Sequence, residues 1–298
     1  MMLHTHRLRN GRSDDHSISL RRLCAQPDFR REPLRAIARR AIWHLRWLLR
    51  SSPWCLRTCE SIQILVPHGG AGALIYYRGH SEPEIASFLK MAVKPGMTFW
   101  DVGAHVGEFT LLAAKLAGEN GRVEAIEPQA NLCDLIRMSL SRNGLRNTTV
   151  RCAAVTDSIG FARLVLPREP SLAYIQQDGE GAAPSIEIQT LTLDRLKHDT
   201  GRCPNFIKVD VEGAERLVLC GAESLLSMPP GLAPTWIVEF EQDNCARFSY
   251  AASELLSKFT STGHRTHWLR ADGSAVPTSP GGMPVGRNFL AFKVDSQC

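Results

Sequence analysis

From residue 98 onward the sequence predicts an α/β fold built on a mostly parallel sheet with helices on both faces. Three observations carry this. Short apolar runs of strand length, "TFWDV", "RVEAIEP", "NTTVRCAAV", "NFIKVDV" and "TWIVEFE", alternate with stretches of helical length. Such alternation marks βαβ units, whose parallel strands need crossover helices. The first of these strands runs into the glycine-containing loop "DVGAHVG", where a doubly wound sheet places its ligand. The second strand ends on an acid, Glu127, 20 residues after Gly107.

The elements follow in order. Residues 1–32 are polar, Arg-rich and without periodicity, which gives no reason for a packed core. Over about 33–50, Leu34, Ile37, Ala38, Ala41, Ile42, Leu45, Leu48 and Leu49 recur at helical spacing. Arg35, Arg39, Arg46 and Arg50 lie along one flank, and Trp43 and Trp47 point the opposite way. We therefore divide the chain into a basic N-terminal segment, 1–52, and a larger domain, 53–298. After Pro53, "SIQILV" and "GALIYYRG" read as strands, and "SEPEIASFLKMAV" as a helix starting near Pro83. A helix is expected from Gly107 to about Ala117, and another in "QANLCDLIRMSLSRNG", closed by Gly144. "FARLVLP" and "SIEIQTLTL" form an inserted strand pair joined through Gly179–Gly181. A helix begins near Gly213, "SYAASELLSKF" is helical, and "NFLAFKV" is the closing strand.

Charge is uneven. Residues 1–60 hold thirteen arginines, no lysine and five acidic residues, a net +8, against +5 for all 298 residues. The basic amphipathic helix suggests two alternatives: peripheral contact with an anionic membrane surface, or packing of its Leu/Ile face on the domain or on a second copy. No recognition motif accompanies the basic segment, which argues against nucleic acid. No apolar run reaches the ~20 residues of a membrane span, and no signal-peptide core is present. The expected location is cytoplasmic, with the helix leaving open a peripheral position at the inner membrane surface. The nine cysteines show no metal spacing, so no metal is expected, and free thiols in a reducing compartment are the simpler reading.

The loop 103–107 departs from a dinucleotide fingerprint. Starting from Gly103, the third position is His105 and the sixth Glu108, where glycines would be needed. The spacing acidic-x-Gly-x-x-x-Gly (Asp101, Gly103, Gly107) suits a ligand with no pyrophosphate to cradle. Gly103 admits close backbone approach and Gly107 close helix packing. Position 105 is expected at positive φ, which His tolerates better than most side chains. A carboxylate at Asp101 calls for a cationic group on the ligand. S-adenosylmethionine carries an ammonium there and NAD does not. Glu127, fixed by Pro128 at the strand exit, would accept bonds from both ribose hydroxyls.

The stretches "KPGMTFWDVGAHVGEFTLLAAKLAGENGRVEAIEPQANL" and "PNFIKVDVEGAERLVLCGAESLL", with the lead-in "GHSEPEIASFL" and the closing "NFLAFK", resemble the FkbM-type methyltransferases over about residues 61–295. The resemblance implies a Rossmann-like class I fold with a seven-stranded sheet and an antiparallel last strand. It implies S-adenosylmethionine as cofactor and O-methylation of a hydroxyl, often on a sugar or secondary metabolite. The family usually has Asn where this chain has His105. Carried onto this sequence, Asp101, Gly103, Ala104, His105, Gly107 and Thr110 surround the methionyl end and Glu127 with Pro128 the ribose. Ala153 and Asp157 pass near the adenine, and Glu82 and Glu84 cover the cofactor.

An aliphatic hydroxyl is a weak nucleophile, so a base near the transferred methyl is expected. Lys208, Asp210 and Glu212 stand at period-two spacing on a strand next to the first, which places them on one side. Asp210 serves in this reading as base or hydroxyl holder, and Lys208 either tunes a neighbour or is itself depressed by burial. Glu212 sits where a helix dipole also favours a negative charge. Glu239 and Glu241 form a second acidic pair, and His198, His264 and His267 are candidates by residue type alone. The partner is a small-molecule or carbohydrate hydroxyl acceptor. The competing reading is a membrane-associated scaffold or assembly protein that kept the fold and little of the chemistry.

Overall fold

The computed structural model describes Phe29 and residues 32–167, 172–177, 184–279 and 287–294. The Arg-rich stretch before residue 29 and the loop at 179–181 lie outside the described residues.

Helix α1 (Pro33–Leu49), started by Pro33 at its first position, is followed by a hairpin of β1 (Trp54–Arg57) and β2 (Gln63–Val66). Next come α2 (Gly70–Arg78) and α3 (Pro83–Ala92). The segment "GALIYYRG", expected as a strand, is helical. Its unbroken apolar run carries no clear period, and tertiary packing decides it: one side of α2 lies on α1, and Gly79 closes it in the left-handed conformation. Gly72 allows this contact, because a Cβ there would stand 3.2 Å from Trp43 Cη2 and 3.0 Å from Val66 Cβ.

The central units follow the sequence pattern: β3 (Thr98–Val102), α4 (Glu108–Ala117), β4 (Arg122–Ile126), α5 (Ala130–Arg142) and β5 (Thr148–Arg151). A smaller sheet intervenes, made of β6 (Ala154–Val155), β7 (Gly160–Val165), β8 (Tyr174–Ile175) and β9 (Ser185–Leu191), with β7 and β9 antiparallel as expected of the inserted pair. Then come α6 (Leu193–Thr200), β10 (Phe206–Val209), α7 (Glu215–Cys220), α8 (Glu223–Leu226) and β11 (Thr235–Glu239). The chain ends with α9 (Gln242–Arg247), α10 (Ser253–Ser261), β12 (Arg265–Leu269), β13 (Ala275–Pro277) and β14 (Asn288–Phe292).

The main sheet has the order β13-β12-β14-β11-β10-β3-β4-β5. Strands β11, β10, β3, β4 and β5 are mutually parallel, and the closing β14 runs antiparallel between β11 and β12. The expected seven strands are present, and an eighth, β13, adds a short edge hairpin to β12. The order reverses between β3 and β10, which opens the crevice for a ligand at their C-terminal ends.

Side chains alternate between the two faces. Phe99 and Phe206 join the core under α4 and α5, while Trp100, Val102, Ile207 and Val209 join the core under α7, α8 and α10. Both faces are covered, so β3, β10 and β11 consist almost wholly of buried residues.

Helix α1 packs the other way round from the expectation that its Leu/Ile face would meet the domain. Trp43 is the buried side chain, 3% exposed, within 5.6–6.1 Å (ring centroids) of Trp47, Trp54, Tyr76 and Tyr77. Arg39 and Arg40 stack on Tyr76 and Tyr77, and Arg39 donates to the Tyr76 carbonyl. The aromatic side wins because flat rings bury large areas and accept arginine faces as well. Leu34, Ile37, Ile42, Leu45, Leu48 and Leu49 are left exposed.

Candidate active site

The ends of β3, β4 and β10 open on a cavity of about 320 Å³. One end is made by the loop after β3. Gly103, His105 and Gly107 have φ of +82°, +51° and +80°, so the positive φ expected at His105 is present. A Cβ on Gly103 would come within 1.8 Å of the Asp210 carbonyl oxygen, and one on Gly107 within 2.9 Å of Ile136 Cγ1. Both glycines are therefore required by close approach: the first to β10, the second to α5. The loop is pinned by backbone bonds from Gly103 and Ala104 to the Ile126 carbonyl.

Glu127 closes that end. One carboxylate oxygen accepts from the His105 backbone N–H at 2.9 Å, the other from the Gln129 N–H at 2.9 Å. Burial pushes its carboxyl up to about 7 against those bonds. The wall beyond is apolar, with Ile126, Ala153, Ala154, Val155, Leu164 and Ile175 among its residues.

Of the residues assigned to the cofactor, Gly103, Ala104, His105, Glu127, Pro128 and Ala153 line the cavity. Asp101, Gly107, Thr110 and Asp157 are not among the lining residues. Alternation explains Asp101. It shares the face of Phe99, so its side chain turns toward α4, where Thr110 Oγ1 donates to Oδ2 at 2.6 Å. Its Oδ1 is buried with no hydrogen-bond partner among the described residues, and burial raises its pKa.

The other end is made by charge. Lys208, register partner of Asp101, donates to Asp210 Oδ2 at 2.8 Å, and its Nζ stands 5.4 Å from the Phe109 ring centroid. Burial pulls Lys208 down, but Asp210, Asp101 and Glu82 outweigh it and hold the ammonium well above its ordinary range. The alternative in which burial depresses Lys208 is thereby corrected. The same ion pair, working against burial, keeps Asp210 below its ordinary value.

Glu212 follows at φ +54° and accepts from Asn244 Nδ2 at 2.8 Å. Burial and then the Asp210 charge push it up to about 7. Glu239, at the end of β11, is raised well above its usual range by burial and the same charge. Lys208, Asp210, Glu212 and Glu239 all line the cavity, but β10 ends at Val209, so Glu212 arrives through the turn at its positive φ and not by strand alternation.

Sequence reasoning missed Arg287, Ser81 and the α2 residues Gly70, Ala71 and Leu74, which also line it. Arg287 donates to Glu239 at 2.8 Å and lies 3.3 Å from Glu241 Oε2, while Asn288 donates to Glu82 at 2.8 Å. The motif "RNFLAF" at the start of β14 held that signal, since its polar residues precede a buried strand. Glu82 lines the cavity, pushed up to about 7 by burial and Asp210; Glu84 and Glu241 do not line it. His198 is exposed at its side chain, and His264 packs against Phe259 with burial lowering it to about 4. Neither they nor His267 reach the cavity.

Residues 101–266, more than half of the chain, match the model of the methyltransferase FkbM domain. A 60-residue stretch is 40% identical to protein-L-isoaspartate O-methyltransferase of Methanococcoides burtonii, covering 20% of this chain and 30% of that protein. The chain thus spans under a third of the length of that curated relative. Among solved structures, methyltransferase FkbM of Methylobacillus flagellatus KT is 16% identical with a TM-score of 0.42, covering 74% of this chain and 53% of the other. An S-adenosylmethionine-dependent O-methyltransferase of Thermotoga maritima is 14% identical with a TM-score of 0.42, covering 82% and 78%. On the family match, the chain belongs to the FkbM methyltransferases and is, at that level, an S-adenosylmethionine-dependent methyltransferase.

Proposed function

We propose that this chain methylates a hydroxyl oxygen of an uncharged acceptor, a sugar, a glycolipid or a secondary metabolite. The observation that carries the reading is the carboxylate cluster Glu82, Asp210, Glu212 and Glu239, facing a loop end built for a nucleoside. No observation favours the scaffold alternative.

The residues present fit S-adenosylmethionine. The Gly103 backbone leaves room no side chain could share. Each Glu127 oxygen accepts one backbone N–H and keeps a lone pair for a ribose hydroxyl. The apolar wall at Ala153–Val155 suits a planar base. When bound, the cofactor supplies an electrophilic methyl on a sulfonium. The chain then has to orient the acceptor and take its proton.

Asp210 is locked by Lys208 and stays ionised, so it is a poor base and a good hydrogen-bond acceptor for holding a hydroxyl. Glu212, at about 7, is matched to remove a proton near neutral pH. Lys208, held as ammonium, balances Asp210 and Asp101. The two cations named in the lining are already engaged, Lys208 by Asp210 and Arg287 by Glu239, so neither is free to receive a phosphate or carboxylate on the acceptor.

The reading is tested by calorimetric titration with S-adenosylmethionine, followed by a product assay across neutral polyols, glycolipids, phenols and their anionic analogues. Turnover of neutral hydroxyls with kcat lost in Glu212→Gln and Asp210→Asn is expected. Preference for anionic acceptors, or undiminished kcat in both variants, would overturn it.

A further inference from the structure

Helix α1 is held to the body of the protein by its aromatic side, which leaves its aliphatic side uncovered. Leu34 and Leu48 are each 82% exposed, Leu49 73%, and Ile37, Ile42 and Leu45 about half. Spaced 3, 5, 3, 3 and 1 residues apart from Leu34 to Leu49, they form one stripe along the whole helix. A stripe of this kind on an exposed helix marks an interaction site.

Charge identifies the occupant. The helix carries four arginines and no acidic residue, and a fifth arginine, Arg50, caps its C-terminus. Arg35 and Arg50 are exposed beside the stripe. Arg39 and Arg46 stack on Tyr76, Trp47 and Trp54 at the seam with the body, so their charges are fixed along the same flank. Residues 1–60 carry a net +8. A second copy seated on the stripe would set one such segment against another. The stretch 1–32 of this chain is itself Arg-rich in sequence, so like charge opposes its seating beside the stripe. A surface that accepts aliphatic side chains a few ångströms deep and presents negative charge around them satisfies both features.

We propose that the exposed face of α1 docks on an anionic lipid bilayer surface. The helix lies in the plane of the headgroups, its leucines and isoleucines in the acyl boundary and the exposed Arg35 and Arg50 among the anionic groups. Among the described residues no helix is long and apolar enough to cross a membrane, so the contact is peripheral. Helix α2 carries the docking to the site: Tyr76 and Tyr77 pack on α1, while Gly70, Ala71 and Leu74 line the cavity. One helix therefore separates the membrane face from the acceptor space, which suits an acceptor carried at a lipid surface. That consequence rests on the proposed function; the docking does not.

The test is co-sedimentation of the full-length chain with vesicles of phosphatidylcholine alone or mixed with phosphatidylglycerol. The wild type is compared with Leu34→Gln/Leu45→Gln/Leu48→Gln and with Arg35→Glu/Arg50→Glu. Wild type is expected to pellet with the mixed vesicles only, release as salt rises, and partition at least about tenfold less in either variant. Thermal unfolding and S-adenosylmethionine titration should be unchanged, since these side chains touch neither core nor cavity. No pelleting with anionic vesicles, equal pelleting with neutral ones, or undiminished binding in both variants would overturn the proposal. A dimer that the leucine variant dissociates would overturn it in favour of a second copy. Loss of S-adenosylmethionine binding in the wild type would sink the proposed function and leave the docking intact.

Discussion

The two ends of the cavity are built by opposite means. At the loop end the backbone does the work: three consecutive-but-one positions, Gly103, His105 and Gly107, sit at positive φ, and Glu127 holds the loop through N–H groups. At the opposite end side chains from four separated stretches, Glu82, Lys208 to Glu212, Glu239 and Arg287, balance one another's charge. A site made of backbone leaves no room for an added atom. A site made of charges accepts a change of shape and fails when one partner is removed.

The largest effects follow from breaking each end in its own way. Gly103→Ala adds a methyl 1.8 Å from the Asp210 carbonyl at a φ of +82°. Strain and overlap together cost roughly 3–5 kcal/mol. Chemical denaturation should show that loss, and S-adenosylmethionine affinity should fall beyond detection. A binding isotherm equal to wild type would show that the loop does not form the cofactor end. Lys208→Met keeps the volume and removes the charge. It leaves the buried Asp101 and the part-buried Asp210 without their cation, at about 3 kcal/mol. The double variant Lys208→Met/Asp210→Asn should recover part of that loss, and failure to do so would mean that Lys208 acts by packing on Phe109 alone.

A smaller step separates chemistry from architecture. Asp210→Asn should lower kcat by about 10²-fold or more while leaving S-adenosylmethionine affinity within a few-fold. Glu127→Gln should do the reverse, because it keeps shape and loses the acceptor at the loop end. If both variants change the same parameter, the division between the ends is wrong.

How far the sequence foretold each end follows from how local its construction is. The loop end was legible: a glycine spacing, a residue tolerant of positive φ and an acid at the next strand tip all lie within residues 101–127. Even there the spacing did not show that Asp101, on the face of Phe99, turns its side chain toward α4 and Thr110. The charge end was legible only along one short stretch, at Lys208, Asp210 and Glu212. Glu82 reaches it through Asn288, 206 residues away and next to Arg287, a distance no pattern encodes. Helix α1 was legible as amphipathic, yet of its alternatives the packing of the Leu/Ile face on the domain is overturned, since the aromatic side packs there. Hydrophobic periodicity ranks aliphatic stripes above aromatic ones, whereas the partner here, Tyr76, Tyr77 and Trp54, selects rings and guanidinium groups.

The finest test of the comparison is pH. Glu127 and Glu212 stand at opposite ends and are both pushed up to about 7 from 4.5, chiefly by burial. A raised carboxyl binds its proton more tightly in the folded chain than in the unfolded one. The stability it confers is therefore complete below pH 4.5 and is lost as pH rises through about 7. Activity moves the other way, because a base must be ionised to accept a proton, so kcat should climb through about pH 7 as stability declines. Glu212→Gln should abolish that climb in kcat and flatten part of the stability loss. Glu127→Gln should flatten the stability curve as well, but leave the kcat profile intact and remove a pH dependence from the KM for S-adenosylmethionine. A kcat limb near 7 that survives Glu212→Gln would transfer the proton to Glu239 or Glu82, the remaining carboxyls with raised values at that end.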